Sequence, residues 1–265
     1  MKANRILLKA LPLVVVVLLL KSGAHALGYE VISLNAMFTG IIGAVVFLLG
    51  FLLSGVLSDY KESERLPGDL AAAFSTITDE LELAYRQKNS AELQQNLAAY
   101  ADTAAEVRRW FYREVKTRTL LAQLTELYCR MGSLEGQILP NYLARMRQEH
   151  STIRRMIIRI HTIRDTSFIS SGYVIAVSTT FLLLLGLVIV KMDPFYESLF
   201  FAGMISYLVV FLILLIRDLD DPFGYSSRTS SEDVSLKPID DLVADLAKWG
   251  GASIAAPVEN TGMRH

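Results

Sequence analysis

Residues 31–58 read VISLNAMFTGIIGAVVFLLGFLLSGVLS, a run of 28 positions without a charge between Glu30 and Asp59. A helix rising ~1.5 Å per residue needs only about 20 such residues to cross ~30 Å of hydrocarbon. Two further runs have the same character: 25 residues between Asp165 and Lys191, and 19 between Glu197 and Arg217. The chain has 265 residues and 52% hydrophobic content, little more than a globular average. Its apolar residues are therefore segregated rather than merely abundant, and the reading is an integral membrane protein of the all-α class.

The N-terminus admits two readings. Lys2, Arg5 and Lys9 precede an apolar run from Leu11 to Leu20, and Ala24-His25-Ala26 would serve as the cleavage site of a secretory signal. Equally, a retained helix from about Ile6 to Leu27 could cross the bilayer, with Lys9 snorkelling to the headgroups and Lys21 near the far interface. On the second reading there are four transmembrane helices in two hairpins.

Basic residues gather beside the span ends: Lys2, Arg5 and Lys9, then Lys61 and Arg65, then Arg154, Arg155, Arg159 and Arg164, and finally Arg217. The short connections between paired spans hold only Lys21 and Lys191. By the positive-inside rule both termini and the segment 59–165 lie on the cytoplasmic side of a bacterial inner membrane, or on the equivalent side of an organellar membrane. The expected organisation is an N-terminal transmembrane hairpin over 1–58 with its second helix at 35–57, a cytoplasmic helical region over 59–165, a second hairpin over 166–217, and a cytoplasmic arm over 218–265.

Within 59–165 apolar residues recur every three to four positions. Leu70, Phe74, Ile77, Leu81 and Tyr85 form one stripe; Leu93, Leu97, Tyr100, Val107 and Phe111, then Leu121, Leu124 and Tyr128, form the next. A third helix carries Tyr142, Met146, Ile153, Ile157, Ile160 and Ile163, after breaks at Gly132, Pro140 and Asn141. Three helices packed on one another are expected. In the arm, Ser226 to Ser231 reads as extended, and Ile239, Leu242, Val243, Leu246 and Trp249 share one face of a short amphipathic helix that would dock on the protein or on a neighbouring subunit. Residues 251–265 have the look of a disordered end.

The function classes narrow by exclusion. A net charge of -1, without an RNA- or DNA-binding motif, sets nucleic acid aside. No P-loop, dinucleotide-binding glycine set, nucleophile elbow or zinc spacing among His25, His150, His161 and His265 marks an enzyme, and no cofactor is implied. Cys129 is the sole cysteine, so no internal disulfide is possible, and it reads as a packed core thiol. Asp218, Asp220 and Asp221 are oxygen-rich enough for a hard cation, and equally serve as a solvated turn after the last span. In the second span Gly43, Phe47 and Phe51 lie on one face, while Gly40, Gly50 and Ser54 permit close packing. Several copies around an axis would turn Phe47 and Phe51 into rings; on spacing alone they could equally face lipid.

The run Asp218-Leu219-Asp220-Asp221-Pro222-Phe223-Gly224 resembles the acidic Pro-Phe-Gly motif that follows the last span of bestrophins. Ile205-Ser206-Tyr207, sixteen residues before Asp221, and Pro238-Ile239-Asp240 reinforce it, as do Leu49-Gly50-Phe51 and the later Tyr60, Glu62, Leu66 and Gly68. Together these bracket residues 5 to 245. The resemblance implies a pentameric ion channel, a homo-oligomer in a lipid membrane, built from an N-terminal hairpin, a helical cytoplasmic region and a second hairpin, and so favours the retained first helix. It places the pore neck at Gly43, Phe47 and Phe51, a cytoplasmic constriction at Ile163, and the inner mouth at Asp59 and Tyr60. Stacked apolar rings would gate by dewetting, and the positive edge of phenylalanine can face a dehydrated anion, which favours chloride among the permeant ions.

Two departures qualify this resemblance. Asp59 stands before Tyr60 where many members carry Arg, reversing charge near the inner mouth. After Pro-Phe-Gly the chain reads Tyr225-Ser226-Ser227-Arg228 where calcium-activated animal members are acidic, so neither a calcium clasp nor another metal site is expected. A non-conducting membrane scaffold or assembly factor with the same fold is the alternative function.

Overall fold

The computed structural model describes residues 4–165, 170–225 and 233–250. The expected extended arm over Ser226–Ser231 and the C-terminal end from 251 lie outside the described residues. The chain divides into two compact units, one comprising Met1–Ser63 and Ile163–Val234, the other Glu64–Thr162 and Ser235–His265.

The first unit is the all-α membrane fold. Its helices are α1 (Asn4–Ala26), the first part of α2 (Ala36–Lys88), α6 (Ser170–Ile189) and α7 (Phe195–Leu219). These are four helices, among the described residues, long and apolar enough to cross a membrane. Phe38, Val45, Leu49, Leu52 and Val56 of α2 form a core with Ala176, Leu183 and Leu187 of α6 and Val209 and Ile216 of α7. Gly186 lets α6 approach α2 closely, because a Cβ there would stand 2.9 Å from the Phe38 ring. Between α1 and α7 the fit is looser, with the Leu18 side chain 3.5 Å from where a Gly203 Cβ would be, an ordinary van der Waals contact. A short parallel pairing of β1 (Ile32–Ser33) with β2 (Val190–Lys191) joins the connections that follow α1 and α6.

The second unit is a helical bundle made of the rest of α2, α3 (Ala91–Phe111), α4 (Thr117–Arg130), the first part of α5 (Pro140–Asp165), and α8 (Lys237–Leu246). The expected stripes supply its core: Phe74, Ile77, Leu81, Leu93, Leu97, Leu124, Ile153 and Ile157 are all buried. The amphipathic helix of the arm docks on its own chain, with Ile239, Leu242, Val243 and Leu246 buried and Arg108 of α3 paired to Asp240 at 2.7 Å. Just beyond it Lys248 pairs with Glu82 at 3.0 Å, and Trp249 meets Tyr85 edge-on.

Three expectations are corrected. First, 59–165 holds four α-helical pieces rather than three, because α3 and α4 are separated at 112–116, where Arg113 takes a left-handed φ of 62°. That break has neither glycine nor proline to announce it. Second, α2 continues unbroken from the apolar span through Pro67 to Lys88; Pro67 removes one backbone donor and Gly68 and Asp69 are poor helix formers, but the good formers at 64–66 before them and 70–73 after them carry the helix on. Third, Cys129 is exposed, since α4 turns Leu120, Leu124 and Leu127 inward and leaves position 129 on the opposite side.

Two pairs of polar side chains are buried inside this bundle. The Tyr100 hydroxyl meets His150 Nδ1 at 3.0 Å, and Trp110 Nε1 donates to Thr117 Oγ1 at 2.9 Å. Burial pushes the Tyr100 phenol up, and burial together with Arg154 pushes the His150 imidazole down to about 4, so His150 is neutral at pH 7.

Candidate functional site

A helix turning about 100° per residue places Gly43, Phe47 and Phe51 within roughly 40° of one another's midline. All three are exposed on α2, Phe47 to 76% and Phe51 to 68%. Gly40, Ala44, Gly50, Ser54 and Ser58 continue the same exposed stripe along the helix. The opposite side supplies the core through Val45, Leu49, Leu52 and Val56. Chemically this face offers aromatic hydrocarbon, bare backbone at the glycines, and two hydroxyls. Such a surface can pack on copies of itself around an axis, or form an apolar constriction, without any covalent chemistry.

The other residues singled out in the sequence are not on that face. Asp59 and Tyr60 are half-buried; Asp59 lies about 120° around the helix from Phe47, and its carbonyl accepts the Ser63 hydroxyl at 2.8 Å. Ile163 is half-buried on α5. The acidic Pro-Phe-Gly motif forms the turn that ends α7. Asp218 is in the last turn of the helix, Asp220 caps it, and the Gly224 N–H donates to the Asp221 carbonyl at 3.3 Å. A Cβ at Gly224 would sit 2.7 Å from the Asp221 carboxylate, so the chain folds back closely on that side chain and a larger residue would make the carboxylate shift. Phe223 is buried, Pro222 accepts the Val234 N–H at 3.1 Å, and Tyr225 donates its hydroxyl to the Val234 carbonyl at 2.7 Å. The motif therefore anchors the start of the arm.

One cluster escaped the sequence reading. Lys21, expected near a wet interface, is fully buried; its ammonium donates to the Val190 carbonyl at 2.7 Å and pairs with Glu30 at 3.3 Å. Glu30 also meets His25 Nδ1 at 2.8 Å, and the His25 ring stacks on Phe195 with centroids 3.9 Å apart. Burial raises the Glu30 carboxyl, but its hydrogen bonds to His25 and Lys21 outweigh that and hold it below the ordinary carboxylate value. The sequence signal is a lysine and a glutamate on either side of one helix end, nine residues apart. The cluster ties the end of α1 to β2.

The sequence matches the model of the Bestrophin-like domain over residues 6–233, a stretch that takes in nearly all of α1. No curated protein matches it at a significant level. Among solved structures, the fold is similar to a point mutant of a bacterial Bestrophin homolog from Klebsiella pneumoniae, with a TM-score of 0.70 at 19% identity over 93% of this chain and 100% of that one. A second point mutant of a bacterial Bestrophin homolog from that organism gives 0.68 at 18% identity, over 92% of this chain and 97% of that one. At these identities the likeness is one of fold.

Proposed function

The chain belongs to the bestrophin-like family, and on that premise we propose that it is a homo-oligomeric channel, a pentamer, that conducts ions along the exposed face of α2. Family and fold support an ion channel of the bestrophin type over an enzyme. One observation carries the finer reading: Gly43, Phe47 and Phe51 share a face that leaves two phenylalanines exposed beside bare glycine backbone. Copies arranged about an axis would make Phe47 and Phe51 stacked apolar rings, a neck that dewets when narrow and passes ions when wider. The positive edge of the phenylalanine ring favours a dehydrated anion, so chloride is the proposed permeant ion. In this reading Ile163 forms a second constriction, both termini lie on the cytoplasmic side, the hairpins are 1–58 and 166–217, and 59–165 with 218–265 make the cytoplasmic part.

The test is planar-bilayer recording of the purified protein, with its stoichiometry measured alongside. Currents from a symmetric ring, altered in Phe47→Ala, are expected. A single copy that carries no current, bound to other proteins, would replace the channel with a scaffold.

A further inference from the structure

The part of α2 that belongs to the membrane unit, Ala36–Ser63, carries three charged residues: Asp59, Lys61 and Glu62. Their placements differ. At about 100° per residue, Lys61 falls at the same azimuth as Gly43, inside the sector bounded by Gly43 and Phe51, whereas Glu62 lies about 20° and Asp59 about 80° outside it. Lys61 is exposed, while Asp59 and Glu62 are half-buried. Asp59 and Glu62 also each have an interaction partner within the protein, and Lys61 has none among the described residues. Between Lys61 and the aromatic pair, Ser54 and Ser58 occupy the same exposed stripe.

We propose that Lys61 is the residue that sets the channel's preference for anions, acting as a ring of unpaired ammonium groups on the inner side of the Phe47–Phe51 neck, with the Ser54 and Ser58 hydroxyls as hydrogen-bond donors between them. This inference rests on the conducting role of the α2 face. The physical reason is field focusing: a charge of one sign at the mouth of a path with low-dielectric walls raises the local concentration of counter-ions by about tenfold or more. A strongly hydrated lysine on a flexible stem does this without binding the ion tightly. The reversal of charge by Asp59, read from the sequence alone, is thereby displaced: its carboxylate lies off the face, and the free charge on the face is positive.

The experiment measures the chloride-to-potassium permeability ratio, from reversal potentials of the purified full-length protein in bilayers under a potassium chloride gradient. Wild type and Lys61→Arg should favour chloride, Lys61→Gln should lower the ratio about tenfold, and Lys61→Glu should lower it further or invert it. Each variant is first checked for the wild-type oligomer; because Lys61 is exposed and unpaired, assembly is expected to survive. Conducting Lys61→Gln and Lys61→Glu channels with an unchanged ratio would overturn the role of Lys61 while leaving the channel intact. A wild type that assembles without conducting would overturn the channel reading and this inference with it.

Discussion

Phe38 and Phe47 are the same residue type, nine positions apart on one helix, yet Phe38 is 8% exposed and Phe47 is 76% exposed. Phe38 lies against Gly186 and belongs to the core shared by α2, α6 and α7, while Phe47 stands on the glycine-rich side. In water such a difference would be written as apolar against polar. Inside a bilayer both sides of a helix are apolar, so the hydropathy pattern that locates a span carries little information about which side packs, which meets lipid and which meets an axis. Small residues and the few polar ones then carry that information.

The contrast between the two sides should appear first in stability. Leu49→Ala, on the buried side, is expected to cost about 2–5 kcal/mol through the cavity it leaves, seen as a lowered thermal midpoint of the protein in detergent. If Leu49→Ala and Phe47→Ala lowered the midpoint equally, the division of α2 into a packed side and a functional side would be broken.

A pair of lysines in the membrane unit sharpens the same comparison, since Lys21 is buried and paired whereas Lys61 is exposed and has no partner among the described residues. Glu30→Gln leaves the Lys21 ammonium buried without its carboxylate and should cost roughly 3 kcal/mol, while Lys61→Gln should leave the midpoint unchanged. The Glu30 carboxyl is held below its ordinary value in the folded state, so its stabilisation is present at neutral pH and is lost as pH falls through that depressed value. A midpoint that falls on acidification in wild type but not in Glu30→Gln would show this; identical acid profiles would refute it.

A smaller effect is expected in the helical bundle. His150 has its pKa depressed from 6.5 to about 4, so between those values the unfolded chain binds the proton more readily and stability is lost as pH falls, by roughly 1 kcal/mol per pH unit. Hydrogen exchange of α3 and α5 at pH 7 and pH 5 checks it, with His150→Gln expected to flatten the difference. Phe47→Ala joins Lys61→Gln at the small end and should stay within about 0.5 kcal/mol because the side chain is exposed.

The spans were legible because the absence of charge over 31–58, 166–190 and 198–216 is a long, simple signal, and α2, α6 and α7 take up 36–58, 170–189 and 198–216 of it. The stripes of α3, α5 and α8 were legible for a related reason: in a water-facing bundle one side must be polar, so periodicity reports the packed side. Harder to read was the break at 112–116, which depends on Arg113 adopting a left-handed φ that its sequence does not favour. Nor could the burial of Lys21 be foreseen from local sequence, because although Glu30 lies only nine residues on, the carbonyl that takes its ammonium belongs to Val190 in the second hairpin. The grouping of Gly43, Phe47 and Phe51 on one face follows from spacing; that this face is the exposed one required the structure. Lys61 was counted only as a topological charge, and its position on that face emerged once the helix was seen to continue unbroken beyond the span.

The most direct test of the central claim is single-channel recording of the purified wild-type protein and of Phe47→Ala in planar bilayers. Wild type should conduct, and removing the Phe47 ring should widen the neck and raise conductance or open probability. Silent bilayers from correctly assembled wild type, or a Phe47→Ala protein with unaltered currents, would contradict it.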